Sequence, residues 1–210
     1  MDLICVDMDN TLIDSDRVHI LGYLSAFKKN NLRKVSVKKI KSLFGLVSYE
    51  IVKGLYPKLS DEQIQEVLED NYNYFIKNKD HLKTFNCVKE TLKLLSKKYD
   101  LVLISNCSRE EILISLKRTK INLKLFKLLI GRDNVKRPKP WPDEILFAER
   151  KLKGKVNYVI GDSIYDIIAG KRAKSKTIGV LTGNHSRADL KKVRADFIIK
   201  EFKDVLKILN

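Results

Sequence analysis

The sequence predicts an α/β protein: a parallel sheet with helices on both faces, carrying a small all-helical insert after its first strand. Three observations predict it. Short apolar runs alternate with helical stretches through the second half of the chain. A long stretch near the start keeps helical periodicity with no strand signal. Polar clusters fall at or just after the ends of the apolar runs, where an open α/β sheet places its ligands. Strands alternating with helices imply right-handed crossovers and a parallel sheet.

Leu3-Ile4-Cys5-Val6 reads as the first buried strand, and it delivers Asp7 and Asp9 at its carboxyl end. If the backbone stays extended through Met8, the two carboxylates share a face. Acids held together in a crevice repel unless a cation or a shared proton compensates. After Asp14 the pattern turns helical and stays so to about residue 80. Ile20, Leu21, Leu24 and Phe27 make one helical face. Ser36 can cap a second helix whose face is Val37, Ile40, Leu43 and Phe44, with Gly45 as its stop. A short helix around Tyr49 to Leu55 ends before Pro57, and Ser60 with Gln63 forms a capping-box pattern opening a longer one.

The alternation then begins. A helix around Val88 to Leu95 precedes the strand Leu101-Val102-Leu103-Ile104, which ends at Ser105-Asn106. A helix from about Glu110 to Lys117 precedes Leu128-Leu129-Ile130, ending at Gly131. A proline-rich loop, Arg137 to Asp143, opens the helix containing Ile145, Leu146 and Ala148. Tyr158-Val159-Ile160 delivers Gly161-Asp162-Ser163 and then Asp166; Thr177-Ile178-Gly179-Val180 and Phe197-Ile198-Ile199 are the last strands.

Composition narrows the classes. At 210 residues and 44% hydrophobic, the chain can form one core domain with an inserted one. The net charge of +16 comes from lysines scattered along the chain, with no arginine tract or interleaved aromatics, so charge alone does not make this a nucleic-acid binder. No apolar run approaches the ~18 residues of a membrane span. The first residues enter a strand without a basic leader, which argues against secretion and for a cytoplasmic protein. Cys5, Cys87 and Cys107 lack ligand spacing and read as reduced, largely buried thiols. His19, His81 and His185 read as surface residues.

Four polar clusters can face one crevice: Asp7/Asp9, Ser105/Asn106, Lys139, and Asp162/Asp166. Asp7 with Asp162 offers hard oxygen ligands for Mg²⁺, which favours one or two carboxylates with waters and phosphate. Lys139 and the Ser105 hydroxyl supply a cation and a donor for phosphoryl oxygens. A carboxylate can attack phosphorus and form an aspartyl-phosphate. These parts describe phosphoryl transfer.

Asp7-Met8-Asp9-Asn10-Thr11, the strand ending at Ser105, Lys139-Pro140-Trp141-Pro142-Asp143 and Gly161 to Asp166 resemble the four ordered motifs of the haloacid dehalogenase (HAD) superfamily. The insert resembles the helical C1 cap of its phosphoglycolate phosphatase-like branch. The resemblance implies a Rossmann-like core over residues 1–14 and 81–210, with a cap over 15–80. It implies Asp7 as nucleophile and metal ligand, and Asp9 as acid and base, with its backbone carbonyl on the metal. Ser105 and Asn106 would bind phosphate with Lys139, Asp162 would bind Mg²⁺, and Asp166 would serve the metal or Lys139. True dehalogenases lack an acid at the position of Asp9, so dehalogenation is disfavoured. Cys107-Ser108-Arg109 is atypical after the second motif, and Arg109 could reach an anionic substrate. Arg33, Tyr49 and Lys53 are conceivable substrate contacts from the cap.

The resulting expectation is a Mg²⁺-dependent phosphatase acting on a small phosphorylated metabolite such as phosphoglycolate. A phosphosugar mutase, a nucleotide or nucleic-acid end phosphatase, and a non-catalytic binding protein of the same fold are the alternatives.

Overall fold

The computed structural model describes residues 2–209. The chain runs β1 (Leu3–Asp7), β2 (Ile13–Asp14), then four helices, α1 (Asp16–Lys29), α2 (Val37–Lys41), α3 (Ser48–Leu55) and α4 (Asp61–Asn78). It continues through β3 (Lys83–Thr84), α5 (Val88–Leu95), β4 (Asp100–Ser105), α6 (Arg109–Thr119), β5 (Phe126–Gly131) and α7 (Asp143–Leu152). It ends with β6 (Val156–Gly161), α8 (Ile164–Arg172), β7 (Lys176–Val180), α9 (Arg187–Lys192) and β8 (Phe197–Ile199).

Six strands form one sheet in the order β5-β4-β1-β6-β7-β8, and every pairing in it is parallel. β1 therefore lies in the interior, between β4 and β6. Successive side chains of a strand point to opposite faces. Ile4 and Val6 accordingly join the apolar cluster on one face with Leu101 and Leu103, while Leu3 and Cys5 join the other with Val102 and Ile104. The four residues Leu3 to Val6 are buried and apolar, and the first polar side chain of the strand is Asp7, where it ends. Parallel strands put their carboxyl ends on one edge, so Asp7, Ser105 and Gly161 emerge together.

A third apolar cluster belongs to α1–α4, with Tyr23, Phe27, Ile40, Val52, Ile64 and Val67 at its centre. Ser36 caps α2 by accepting from the Lys39 N–H, and Ser60 and Gln63 close the capping box of α4. The chain passes into these helices through β2 and back through β3, an antiparallel pair two residues long. A run that short carries no periodicity, and the sequence reading did not contain it.

Three expectations are corrected. Gly45 does not stop α2, which ends at Lys41; it lies beyond, in a loop, with φ +98°. Cys87 is exposed rather than buried. His19 is not a surface residue: its ring stacks on Phe75 at a centroid distance of 5.9 Å. Among the described residues, no helix is long and apolar enough to cross a membrane.

Candidate active site

The site is assembled at the carboxyl edge of the sheet. Beyond β1 the backbone turns tightly: Leu12 and Ile13 both donate to the Met8 carbonyl, and Asn10 sits at φ +57°. This turn brings the Thr11 hydroxyl between two carboxylates, 3.3 Å from Oδ2 of Asp7 and 3.2 Å from Oδ1 of Asp162. Lys139 reaches the same point from the loop before α7. Its Nζ donates to Oδ1 of Asp7 at 2.6 Å and to Oδ1 of Asp166 at 2.7 Å. Asp166 gives its other oxygen to Ser163, which donates from its N–H and its hydroxyl. Both oxygens of Asp166 are thus engaged within the protein, and its place is beside Lys139.

The charges are unbalanced. Asp7, Asp162 and Asp166 are all buried and share one lysine, and their carboxylate oxygens lie within 4.8 Å of one another. Burial raises the Asp7 carboxyl above its usual range against the pull of Lys139, with Asp166 and Asp9 adding to the rise. Burial also raises Asp162, reinforced by the charges of Asp7 and Asp166. Burial opposes the charge of Lys139, but Asp166, Asp7 and Glu144 together hold its pKa well above the usual value. A set of hard oxygens with excess negative charge fits Mg²⁺, and Asp7 and Asp162 are the residues that would hold it. A β-carbon on Gly183 would overlap the Asp162 carboxylate, so glycine there lets this ligand lie where it does.

Asp9 occupies a different setting. Its Oδ1 is 3.5 Å from Nε2 of His19, on α1, and its Oδ2 accepts from the Cys107 thiol at 3.3 Å. Burial pushes Asp9 up, but the hydrogen bond and charge of His19 outweigh it and leave the carboxyl lowered. Burial pulls His19 down, and Asp9 reverses this, so the imidazole is raised. Asp9 and His19 form a pair able to pass one proton between them.

Ser105 is buried and accepts from the Cys107 N–H, which leaves its own proton to donate. The cap of α6 is Ser108, boxed with Glu111, so Ser105 is not needed as a helix cap. Asn106 lines the cleft, and its amide donates to the Gly45 carbonyl at 2.7 Å and the Lys139 carbonyl at 2.9 Å. It ties the insert to the lysine loop.

Several residues proposed from sequence as substrate contacts do not line the cleft. Tyr49 donates to Asp61, Lys53 to the Leu59 carbonyl and Arg33 to the Leu55 carbonyl. Arg109 is exposed. Trp141 is stacked between Arg137 and Arg172, at 4.6 and 4.4 Å. Ser163, quoted in sequence only as part of a motif, lines the cleft, and from the insert so do Tyr23, Leu46, Ser48 and Ile51, none of which the sequence singles out. Cys107, close to the site in sequence and read there as structural, lines the cleft, as does His19, whose sequence setting reads as surface. Glu144 is fully buried behind Lys139, and neither of its oxygens has a partner among the described residues. Burial raises it to about 8, against the pull of Lys139. In sequence it is an ordinary acid in the first turn of a helix.

Residues 4–180 match the family model described as haloacid dehalogenase-like hydrolase. The chain is 27% identical over 208 residues to pyrophosphatase PpaX of Bacillus pumilus, covering 97% of this chain and 94% of that one. A crystal structure of a hydrolase from Pseudomonas syringae superposes with a TM-score of 0.90 at 25% identity, covering 100% of this chain and 98% of that one. A structure described as a predicted phosphoglycolate phosphatase from Haemophilus somnus gives 0.87 at 24% identity, with coverage of 100% and 98%.

Proposed function

Because the chain belongs to the haloacid dehalogenase-like hydrolases, we propose that it is a Mg²⁺-dependent phosphatase that cleaves a small phosphomonoester through a phosphorylated Asp7. The observation that supports this best is the grip of Lys139 on Asp7 and Asp166 at the open end of β1, with Ser105 beside it. Lys139 fixes the Asp7 carboxylate and keeps a positive charge where phosphoryl oxygens would arrive. One oxygen of Asp7 attacks phosphorus, and the phosphorus–oxygen bond to the leaving group breaks. Asp9 delivers to that leaving oxygen a proton drawn from the His19 imidazolium, then takes one from the water that hydrolyses the acyl phosphate. Ser105 donates to the transferring group. Mg²⁺, held by Asp7, Asp162 and the Asp9 carbonyl, would neutralise charge on the phosphoryl oxygens.

The four-helix insert forms one wall of the cleft and acts in this reading as a cap whose closure excludes water. The free thiols suit a cytoplasmic setting. The test is phosphate release from a panel of phosphomonoesters, with and without Mg²⁺, for wild type and Asp7→Asn. Turnover that needs Mg²⁺ and vanishes in Asp7→Asn is expected; turnover surviving Asp7→Asn would exclude the covalent route.

A further inference from the structure

The cleft has an empty volume of about 610 Å³ counted out to its mouth, and it divides sharply by charge. The sheet edge provides the carboxylates, Lys139 and Ser105. The insert provides Tyr23, Phe44, Leu46, Ser48 and Ile51, with His19 beside Asp9. Although the chain has 42 lysines and arginines, among the described residues none from the insert lines the cleft. The insert cations nearest in sequence are committed elsewhere: Lys41 to Asp16 at 2.7 Å, Lys53 to a carbonyl at 2.9 Å. Lys139 is held by two carboxylates and His19 by Asp9.

A phosphoryl group seated at Asp7 and Lys139 leaves the rest of its ester facing this wall. A second anion there would lose its hydration without gaining a cation, which is costly. A hydroxyl would meet the hydroxyl-bearing side chains of Tyr23 and Ser48, and a short carbon skeleton would meet Phe44, Leu46 and Ile51. We propose that the site selects phosphomonoesters with a small uncharged leaving group, a short alcohol or polyol, and discriminates against esters carrying a second anionic group. This rests on the phosphatase reading above and narrows it. It sets apart phosphoglycolate, pyrophosphate and the bisphosphates of a mutase, each of which carries a second anion.

The experiment compares kcat/KM of the Mg²⁺-loaded enzyme for 2-hydroxyethyl phosphate and phosphoglycolate, which differ by a hydroxymethyl in place of a carboxylate, with pyrophosphate and p-nitrophenyl phosphate alongside. Wild type is expected to prefer the hydroxyethyl ester at least about tenfold, the scale on which a pocket rejects a group it cannot pair. Ser48→Arg or Leu46→Lys, at half-buried positions, should narrow or reverse that preference. Equal or better turnover of phosphoglycolate or pyrophosphate by wild type would overturn the selectivity and leave the phosphatase reading standing. No turnover of any of the four would overturn that reading, and the selectivity with it.

Discussion

Nε2 of His19 lies 3.5 Å from Oδ1 of Asp9, although one belongs to the insert and the other to the turn after the central strand. The carboxylate proposed to handle the proton is thereby partnered by a helix that the sheet does not carry. His19→Asn should lower kcat about tenfold, within the usual range for a proton-transfer partner, with KM changed far less. Asp9 loses the group that lowers its pKa, so the acid limb of the pH–rate profile should move upward. The pair also stabilises the fold. Asp9 contributes above its unfolded pKa and His19 below its own, so the contribution is largest between roughly pH 4 and 6.5. It fades below that window as Asp9 takes its proton, and above it as pH passes the raised value of His19. Urea midpoints of wild type and His19→Asn across pH check this.

Glu144 ties stability to pH through burial rather than through a partner. Its carboxyl ionises near 4.5 when unfolded and at about 8 when folded. Between those values the folded protein retains a proton that the unfolded chain has lost, so stability falls as pH rises. Glu144→Leu should remove that part of the slope, gaining on the order of a few kcal/mol at pH 8 and little at pH 5. Denaturant titrations in the presence of Mg²⁺ isolate it from the carboxylates of the metal site.

Removing Lys139 should destabilise the protein through the anions it leaves behind. Lys139→Met is expected to cost about 3–5 kcal/mol, as for any buried ion pair stripped of one partner. Mg²⁺ should restore part of this loss, because it compensates the same charges. Mg²⁺ is expected to raise the Tm of the wild type, and Asp162→Asn should abolish that rise. Thermal melts with Mg²⁺ and with EDTA distinguish the two variants.

Gly45 joins the insert to the sheet edge by close approach. A β-carbon there would lie 2.8 Å from Cβ of Ser163 and from Cδ2 of Tyr165, on a backbone at φ +98°. Gly45→Ala should push the loop away, break its hydrogen bond to Asn106 and reduce kcat/KM about tenfold, with Tm lowered by only a few degrees. A large fall in Tm with unchanged kcat/KM would contradict this role.

The sheet and the acidic floor of the site were legible because both depend on local pattern. A buried parallel strand is a short apolar run, and a residue at its carboxyl end is placed by the strand itself, which puts Asp7, Ser105 and Asp162 at one edge. Lys139 was found through its motif, and the spacing of Asp166 after Asp162 put it on the first turn of α8. The wall of the cleft was not legible. Tyr23, Ser48 and Ile51 sit on helices whose packing against one another decides which residues turn toward Asp9, and periodicity marks only their apolar faces. Arg33 and Lys53 were attractive for their charge, yet their side chains reach backbone carbonyls of the insert. Cys107 follows Ser105 by two residues and so is near the site by sequence, whereas His19 sits on α1 and only the packing of the insert against the sheet brings it to Asp9.

The two connections between the insert and the sheet, β2 and β3, pair with each other over two residues each, and the helices beyond them keep an apolar cluster of their own. Backbone pairing asks little of side-chain identity. Evolution can therefore rewrite the helices between these two strands while the chemistry at the end of β1 stays fixed, provided the few bridging contacts such as His19 with Asp9 are kept. A chimaera that exchanges this segment between relatives would be the corresponding laboratory step: a transplant of recognition onto an unchanged reaction.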